Sequence, residues 1–202
     1  MNQRDFWSGN FGSEYIERNA SQEFLASNLA LFAKVCSNLP QAPKNILELG
    51  ANIGMNAKAL RLLFPRATFS GVEINSEACN QLRSVADIVF ESSIEDFNAD
   101  SIYDFVFTKG VLIHLAPESL NDAYNKLYDS SSRWILIAEY YNPSPVALEY
   151  RGFKDKLFKR DFAGELMKLH RDLDLRASGF AYHSGPFPQD DISWFLFEKA
   201  NR

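Results

Sequence analysis

A short apolar strand followed at once by a glycine turn and a helix constrains the fold of this 202-residue chain most. Residues 46–49 (Ile-Leu-Glu-Leu) predict a strand of a parallel sheet, and Gly50 and Gly54 bracket the tight turn after it. Apolar residues then recur at helical spacing from Ile53 to Phe64, until a proline ends the pattern. In open α/β sheets this arrangement forms a nucleotide-sized crevice at the carboxyl end of the first strand.

The residues of the turn indicate which nucleotide the crevice suits. Asn52 stands where a dinucleotide-binding turn has its second glycine, and the chain has no Gly-Lys-Ser/Thr of a P-loop. Glu48, two residues before the first glycine, repels phosphates but suits a ligand that carries an ammonium and a sulfonium. S-Adenosylmethionine (SAM) is such a ligand. The Glu-x-Gly-x-x-x-Gly spacing resembles motif I of the class I SAM-dependent methyltransferases.

A second acid, Glu73, ends the second predicted strand 19 residues after Gly54. A carboxylate at about this separation accepts hydrogen bonds from both hydroxyls of an adenosine ribose. The alternative is that Glu73 only favours the next helix, capped by Asn75, through the helix dipole. Residues 92–94 follow the third strand and are expected over the adenine, with ordinary turn chemistry as the other interpretation. The residues expected to contact SAM are Tyr15, Arg18, Glu48, Gly50, Asn52, Gly54, Asn56, Glu73, Ile74, Ser93, Ile94 and Lys109.

The first 40 residues are expected to form an amino-terminal lid and a helix, and residues 41–202 the main domain of a single globular unit. Tyr15 and Arg18 lie one helical turn apart, so Arg18 would clamp the carboxylate of SAM. The alternative is a flap that only packs on the domain. The helix that follows is capped by Asn19 or Ser21 and packs in the core.

The loop after the fourth strand carries the candidate general base. His114 follows the strand of residues 103–108, where the reactive methyl group should point, and an imidazole titrates near neutral pH. For a hydroxyl acceptor we expect His114 to be the base, with Tyr140 and Tyr141 orienting it. For an unprotonated amine no base is needed, and His114 would only shape the pocket.

Residues 151–161 hold five basic residues and two aspartates, a local charge of +3 in a chain of net charge −5. One interpretation is the solvated face of a helix. The other is a site for an anionic acceptor, formed by Arg151, Lys154, Lys159 and Arg160.

Composition excludes several classes of function. The acidic net charge argues against a nucleic-acid grip by phosphate neutralisation. The chain has no signal-peptide pattern and no apolar run long enough to span a membrane, so we expect a cytoplasmic protein. Cys36 and Cys79 fall on apolar helical faces and are expected to be buried free thiols, with no metal site.

Five strands alternate with helices, and two further strands around residues 175–182 and 192–198 close the chain. The pattern predicts an α/β fold with a seven-stranded, doubly wound, mostly parallel sheet whose last strand is antiparallel. Six blocks of the sequence resemble the pseudaminic acid biosynthesis-associated methylase family, with the similarity extending from Phe6 to Glu198. They are residues 48–56, 71–75, 107–114, 137–143, 150–164 and 187–191.

The resemblance implies the class I methyltransferase fold and methyl transfer from SAM, with S-adenosylhomocysteine (SAH) as product. It further implies an oxygen or nitrogen of a small, anionic, sugar-type acceptor in nonulosonic-acid chemistry. Two alternatives stay open. One is an NAD-dependent sugar-nucleotide enzyme, which the missing glycines and Glu48 disfavour. The other is a non-catalytic subunit with the same fold, which the set of Glu48, Gly50, Gly54 and Glu73 disfavours.

Overall fold

The computed structural model describes residues 3–9, 12 and 21–200, without the side chains of residues 3, 4, 154 and 155. Its helices are α1 (Gln3–Ser8), α2 (Gln22–Cys36), α3 (Met55–Leu63), α4 (Ser76–Leu82), α5 (Leu120–Ser130) and α6 (Phe162–Leu169). Its strands are β1 (Asn45–Leu49), β2 (Thr68–Glu73), β3 (Ile88–Glu91), β4 (Tyr103–Lys109), β5 (Ser131–Glu139), β6 (Val146–Tyr150), β7 (Phe153–Lys159), β8 (Leu173–Ala181) and β9 (Ile192–Lys199). Two 3₁₀ turns, Leu112–His114 and Pro117–Ser119, follow β4.

Seven of these strands form one sheet in the order β3-β2-β1-β4-β5-β9-β8. The strands from β3 to β5 pair in parallel, whereas β9 runs antiparallel to both β5 and β8. The predicted fold class is therefore confirmed, including the reversed last strand, which lies between β5 and β8 rather than at the edge.

Successive residues of the central strands point to opposite faces of the sheet, and both faces are covered. Leu47 of β1 belongs to a buried cluster that includes residues of α5 and α6. Its neighbour Ile46 belongs to a second cluster with residues of α2 and α3. Because helices cover both faces, the ligand-accessible part of the sheet is the edge where the parallel strands end.

Polar side chains cap three helices. Ser21 Oγ accepts a hydrogen bond from the backbone N–H of Phe24 at 3.1 Å, so Ser21 caps α2. Asn75 caps α4 and Asp161 caps α6 in the same manner. These caps set where each helix begins after its strand or loop.

Glycine occupies positions 50 and 54 of the turn after β1, where the backbone has positive φ. Gly50, Asn52 and Gly54 all have positive φ, at 82°, 47° and 81°. A Cβ on Gly54 would lie 2.4 Å from Val85 Cγ2 and 2.8 Å from Leu82 Cδ1. The close approach at Gly54 is therefore to side chains at the end of α4, which fixes the start of α3 in the sheet.

The basic stretch is not helical. Residues 146–159 form an antiparallel hairpin, β6–β7, in a separate two-stranded sheet. Tyr150 pairs with Phe153 across the turn, and Arg151 and Gly152 have φ of 53° and 85°. Positive φ at both central residues is what a tight two-residue hairpin requires. The interpretation of this stretch as a solvated helix face is therefore wrong.

Within the described residues no helix is long and apolar enough to cross a bilayer. The same residues contain no group of three or more His, Cys, Asp or Glu side chains placed to hold a metal ion. Cys36 and Cys79 are both buried free thiols.

We expect Gly54→Ala to destabilise the protein more than Gly152→Ala. Both glycines have positive φ, which costs an alanine about 1–2 kcal/mol. A Cβ on Gly152 meets nothing within 4 Å, whereas one on Gly54 clashes with Val85. Overpacking should add roughly 1–3 kcal/mol at Gly54. Urea unfolding of both variants measures the difference, and equal losses would contradict this packing role.

Candidate active site

A cavity of about 770 Å³ lies at the edge where the parallel strands end. Two groups of residues line it. The turn after β1, the end of β2 and the loops after β3 and β4 form the strand-end side, and the β6–β7 hairpin and the loop between β8 and β9 form the second side. The two sides meet where His114 contacts the hairpin. Trp7 of α1 also lines the cavity, and its carbonyl accepts a hydrogen bond from Asn75 Nδ2 at 3.2 Å. The volume suits a small-molecule ligand.

The carboxylate of Glu73 joins the first two strand ends. Its Oε2 accepts a hydrogen bond from the backbone N–H of Asn52 at 2.8 Å. Its Oε1 accepts from the backbone N–H groups of Ile74 at 2.9 Å and Asn75 at 2.8 Å. Burial raises the pKa of Glu73, and these three bonds oppose that rise. Because Glu73 also lines the cavity, it presents an acceptor group at the end of β2.

Glu48 lies beneath the cavity rather than on its surface. It is fully buried, and its Oε1 accepts a hydrogen bond from Asn56 Nδ2 at 2.6 Å. Its Oε2 has no hydrogen-bond partner within the described part of the chain. Burial raises its pKa to about 8, opposed by the Asn56 bond and by the charge of Lys109. Asn56 lines the cavity, so Glu48 holds in place a side chain of the cavity wall.

Lys109 ends β4 and brings a buried cation to the cavity wall. Its Nζ lies 5.0 Å from the ring centroid of Phe24. Burial lowers its pKa to about 8, while the charges of Glu48, Asp190 and Glu139 oppose that change. The lysine therefore balances acids that would otherwise be buried without a counter-charge.

The sequence analysis missed Glu139, the last residue of β5. Its Oε1 accepts hydrogen bonds from the backbone N–H groups of Val111 at 2.9 Å and Leu112 at 3.0 Å. Burial raises its pKa to about 7. Since these bonds hold the first residues of the 3₁₀ turn, Glu139 fixes where His114 enters the cavity. An acid at the end of a central apolar strand was the signal for it.

His114 lines the cavity but is buried, with 8% of its surface exposed. Its Nδ1 lies 2.9 Å from the carbonyl oxygen of Lys156, so Nδ1 carries the proton and Nε2 is the acceptor. Its ring centroid is 4.5 Å from that of Trp7 and 5.1 Å from that of Tyr150. Burial lowers its pKa to about 4, with the Lys156 bond opposing. An imidazole with this pKa is a weak base at neutral pH.

Only one of the two tyrosines after β5 reaches the cavity. Tyr140 lines it, with Lys159 Nζ 4.9 Å from the ring centroid. Tyr141 is 45% exposed, and its ring centroid is 6.2 Å from that of Phe195, outside the lining. Adjacent residues of an extended chain point to opposite sides, which separates the two.

Only some of the four basic residues predicted to bind the acceptor lie at the cavity. Arg151 and Lys159 line the cavity. Arg160 does not, because its Nε bonds to Glu165 Oε1 at 2.7 Å. Lys154 belongs to β7, and its side chain lies outside the described part of the chain.

Most of the expected cofactor residues lie together. Gly50, Asn52, Asn56, Glu73, Ile74, Ser93, Ile94 and Lys109 line the cavity. Ser93 Oγ accepts a hydrogen bond from the backbone N–H of Asp96 at 3.1 Å, which is turn chemistry within the loop after β3. Gly54 lies in the turn but outside the lining, and Tyr15 and Arg18 lie outside the described residues.

The loop between β8 and β9 contributes cavity residues that the sequence did not single out for a role. His183, Gln189, Asp190 and Asp191 all line the cavity. His183 Nδ1 lies 2.9 Å from both carboxylate oxygens of Asp191. A histidine and an aspartate eight residues apart on either side of a Gly-Pro turn were the available signal.

No family model matches the chain, and no curated protein matches it by sequence. Solved structures do resemble it. Magnesium protoporphyrin IX methyltransferase from Synechocystis PCC 6803, with bound SAH, superposes with a TM-score of 0.72 at 11% identity, over 98% of this chain and 97% of that one. The 1,6-didemethyltoxoflavin-N1-methyltransferase of Burkholderia thailandensis, also with SAH, gives 0.69 at 13% identity over 95% and 86%. The plantazolicin methyltransferase with SAH gives 0.68 at 13% identity over 98% and 94%.

The chain has the class I methyltransferase fold. In this fold the cavity at the carboxyl ends of β1, β2 and β4 coincides with the crevice that the glycine turn predicts.

We expect Glu48→Gln to raise the melting temperature at pH 8 but not near pH 4.5. The folded pKa of Glu48, about 8, lies above its ordinary value of 4.5. As pH rises through this window the unfolded carboxyl loses its proton before the folded one, so stability falls. Glutamine keeps an oxygen for Asn56 without titrating.

Thermal unfolding at both pH values measures the effect. The control is Glu149→Gln, at an exposed residue, which should change the melting temperature equally little at both pH values. A lower melting temperature for Glu48→Gln at pH 8 would mean that an ionised Glu48 stabilises the fold through Lys109.

Proposed function

We propose that the protein is a SAM-dependent methyltransferase that methylates an oxygen or nitrogen of a small, anionic, sugar-type acceptor and releases SAH. The observation that carries the proposal is one cavity with two chemically different sides, in a class I methyltransferase fold. The strand-end side has carboxylates and amides around a glycine turn. The second side has two cations, Arg151 and Lys159, and two aspartates, Asp190 and Asp191, among aromatic rings.

The strand-end side fits a cationic adenosine compound better than a dinucleotide. Glu73 supplies an acceptor for ribose hydroxyls, and Ile74 and Ile94 supply apolar surface for an adenine. Glu48 and Asn56 each keep a buried oxygen without a hydrogen-bond partner in the described residues, next to the turn. The Asn56 side chain lines the cavity, and its amide oxygen only accepts hydrogen bonds, so it favours a ligand with an ammonium group over one with phosphates. When bound, SAM would supply an electrophilic methyl group; the chain would supply alignment and exclusion of water.

The cations of the second side support an anionic acceptor. Arg151 offers a planar guanidinium, which binds a carboxylate through two hydrogen bonds, and Lys159 adds a second cation. Asp190 offers an acceptor for hydroxyl groups. The rings of Trp7 and Tyr150 flank His114 and restrict water. A ligand with both a carboxylate and several hydroxyls, such as a sugar acid, matches this set.

The sequence resemblance supports the same acceptor class. Two of the blocks that resemble the pseudaminic acid-associated family, residues 150–164 and 187–191, contribute residues to the acceptor side of the cavity. The similar solved structures are named for other small molecules, namely magnesium protoporphyrin IX and 1,6-didemethyltoxoflavin. The sugar acceptor therefore rests on the cavity chemistry and on these blocks.

The direct test incubates the protein with isotope-labelled SAM and a panel of nonulosonic acids, both free and nucleotide-linked. Mass spectrometry should find one member of the panel heavier by one labelled methyl in place of a hydrogen. Calorimetry should show binding of SAM and SAH but none of NAD. Binding of NAD alone would favour the rival sugar-nucleotide enzyme, and binding of neither would favour a non-catalytic subunit.

We expect Glu73→Ala to weaken SAM binding roughly 10- to 100-fold, because it removes hydrogen bonds to a charged group worth about 1.5–3 kcal/mol. Glu91→Ala is the matched control, since Glu91 ends the neighbouring strand and pairs with Glu73 in register. Calorimetry with SAM measures both variants. Unchanged affinity in Glu73→Ala would remove the ribose assignment.

We expect Arg151→Ala and Lys159→Ala to raise the KM for the acceptor several-fold, with little change in the affinity for SAM. Both cations line the acceptor side of the cavity, so their loss weakens the acceptor alone. Arg171→Ala, at an exposed residue outside the cavity lining, is the control. A KM equal to that of wild type in both variants would make them surface charges.

A further inference from the structure

A histidine and an aspartate of the loop between β8 and β9 contact each other at the cavity wall. His183 Nδ1 lies 2.9 Å from Asp191 Oδ1 and Oδ2, and the backbone N–H of His183 donates to Oδ1 at 3.0 Å. Asp191 adopts a φ of 54°, a conformation that costs energy for a non-glycine residue. The loop therefore holds the carboxylate against the ring through two separate contacts.

The contact determines which ring nitrogen is a proton acceptor. A carboxylate only accepts hydrogen bonds, so the neutral ring carries its proton on Nδ1 and leaves Nε2 unprotonated. The hydrogen bonds from His183 lower the pKa of Asp191, which keeps the carboxylate ionised. An ionised carboxylate on Nδ1 also stabilises the ring once Nε2 has taken a proton.

The loop is attached to the body of the protein behind this pair. Gln189 Nε2 donates to Asn28 Oδ1 of α2 at 3.0 Å, and both side chains are buried. The backbone N–H of Gln189 also donates to the carbonyl of Tyr182 at 3.4 Å. These bonds fix the loop on the helix that packs against α3, so the His183–Asp191 pair has a defined place on the wall.

His183 and His114 differ in how they meet solvent. The His183 side chain is 55% exposed, whereas His114 is buried between two rings. A base must return its proton to water after each turnover, and it works best when the protonated form is not desolvated. His183 meets both conditions, while the burial of His114 disfavours its charged form.

We infer that His183, positioned by Asp191, takes the proton from a hydroxyl of the acceptor, and this inference rests on the proposed methyltransferase function. The acceptor oxygen forms the bond to the methyl carbon as the carbon–sulfur bond breaks, and that electron pair stays on sulfur as the neutral thioether. The hydroxyl proton passes to His183 Nε2 and then to solvent. His114 is then part of the acceptor wall, and the acceptor atom is oxygen rather than nitrogen.

Several charged and titratable groups face the pair. Asp191 contacts the imidazole directly, and Tyr182 lies with its ring centroid 4.4 Å from that of His183. Asp190 lies next along the loop. Lys159 of β7 lines the same cavity and acts on Asp191 through its charge.

The first arm of the test needs no acceptor. Nitrogen-15 NMR of the imidazole rings, recorded on the full chain with SAH, should show His183 protonated at Nδ1 in its neutral form. Asp191→Ala should abolish that preference at His183 and leave His170, outside the cavity lining, unchanged. A His183 ring protonated at Nε2, or one unaffected by Asp191→Ala, would overturn the inference.

The second arm uses labelled SAM and the nonulosonic acid that accepts the methyl group. His183→Gln should lower kcat roughly 10²- to 10⁴-fold and leave SAM affinity unchanged. Added imidazole should restore part of the rate in His183→Ala, because the site opens to solvent. His170→Gln is the control and should retain the wild-type rate.

The two hypotheses fail in different ways. A wild-type rate in His183→Gln, or a loss that imidazole does not restore, would overturn the role of His183 while methyl transfer stands. Absence of SAM binding by the wild-type protein would overturn the proposed function itself, which also overturns the inference that rests on it.

Discussion

The three backbone N–H groups that donate to the Glu73 carboxylate hold the cavity together. They come from Asn52 in the turn after β1 and from Ile74 and Asn75 after β2, so one side chain joins two strand ends. Asn75 in turn caps α4 and donates to the carbonyl of Trp7 in α1. The turn after β1, the start of α4 and the amino-terminal helix α1 are therefore linked by consecutive contacts around the Glu73 carboxylate.

Electrostatics beneath the cavity follow from burying several acids at one edge of a sheet. Burial raises the pKa of Glu48 to about 8 and that of Glu139 to about 7, and it lowers the pKa of Lys109 to about 8. Each group does separate work. Glu48 orients Asn56, Glu139 holds the turn before His114, and Lys109 offsets their charge. Proteins tolerate such groups mainly where their chemistry is used, which agrees with a functional site here.

Local sequence signals were sufficient for the sheet, the glycine turn and the helix caps. Residues 46–56 carry strand, turn and helix signals in unbroken succession, and Ser21, Asn75 and Asp161 are caps within one turn of their targets. The hairpin carries a weaker local signal, because its lysines and arginines fit an exposed helix face as well as a strand and only the Arg151-Gly152 turn marks the reversal. Tyr141, adjacent to Tyr140 on an extended segment, had to point away from the cavity.

Contacts made at a distance could not be read from the sequence. The burial that weakens His114 as a base comes from Trp7 and Tyr150, which are far from it along the chain. The pairing of His183 with Asp191 depends on how a loop folds back on itself. The Gly-Pro turn between them marks a reversal of the chain but does not fix which side chains meet. Glu139 was visible as the acid that ends an apolar strand, but its hydrogen bonds depend on the parallel register of β4 with β5.

The direction of β9 decides at which edge of the sheet the connection from β8 lies. Because β9 runs against its neighbours, the connection from β8 turns at the same edge as the ends of the parallel strands. That connection and the β6–β7 hairpin are appendages, whereas the glycine turn and Glu73 belong to the central βαβ unit. Both segments line the cavity from outside that unit, so a change in either one alters the cavity wall while the βαβ unit stays intact.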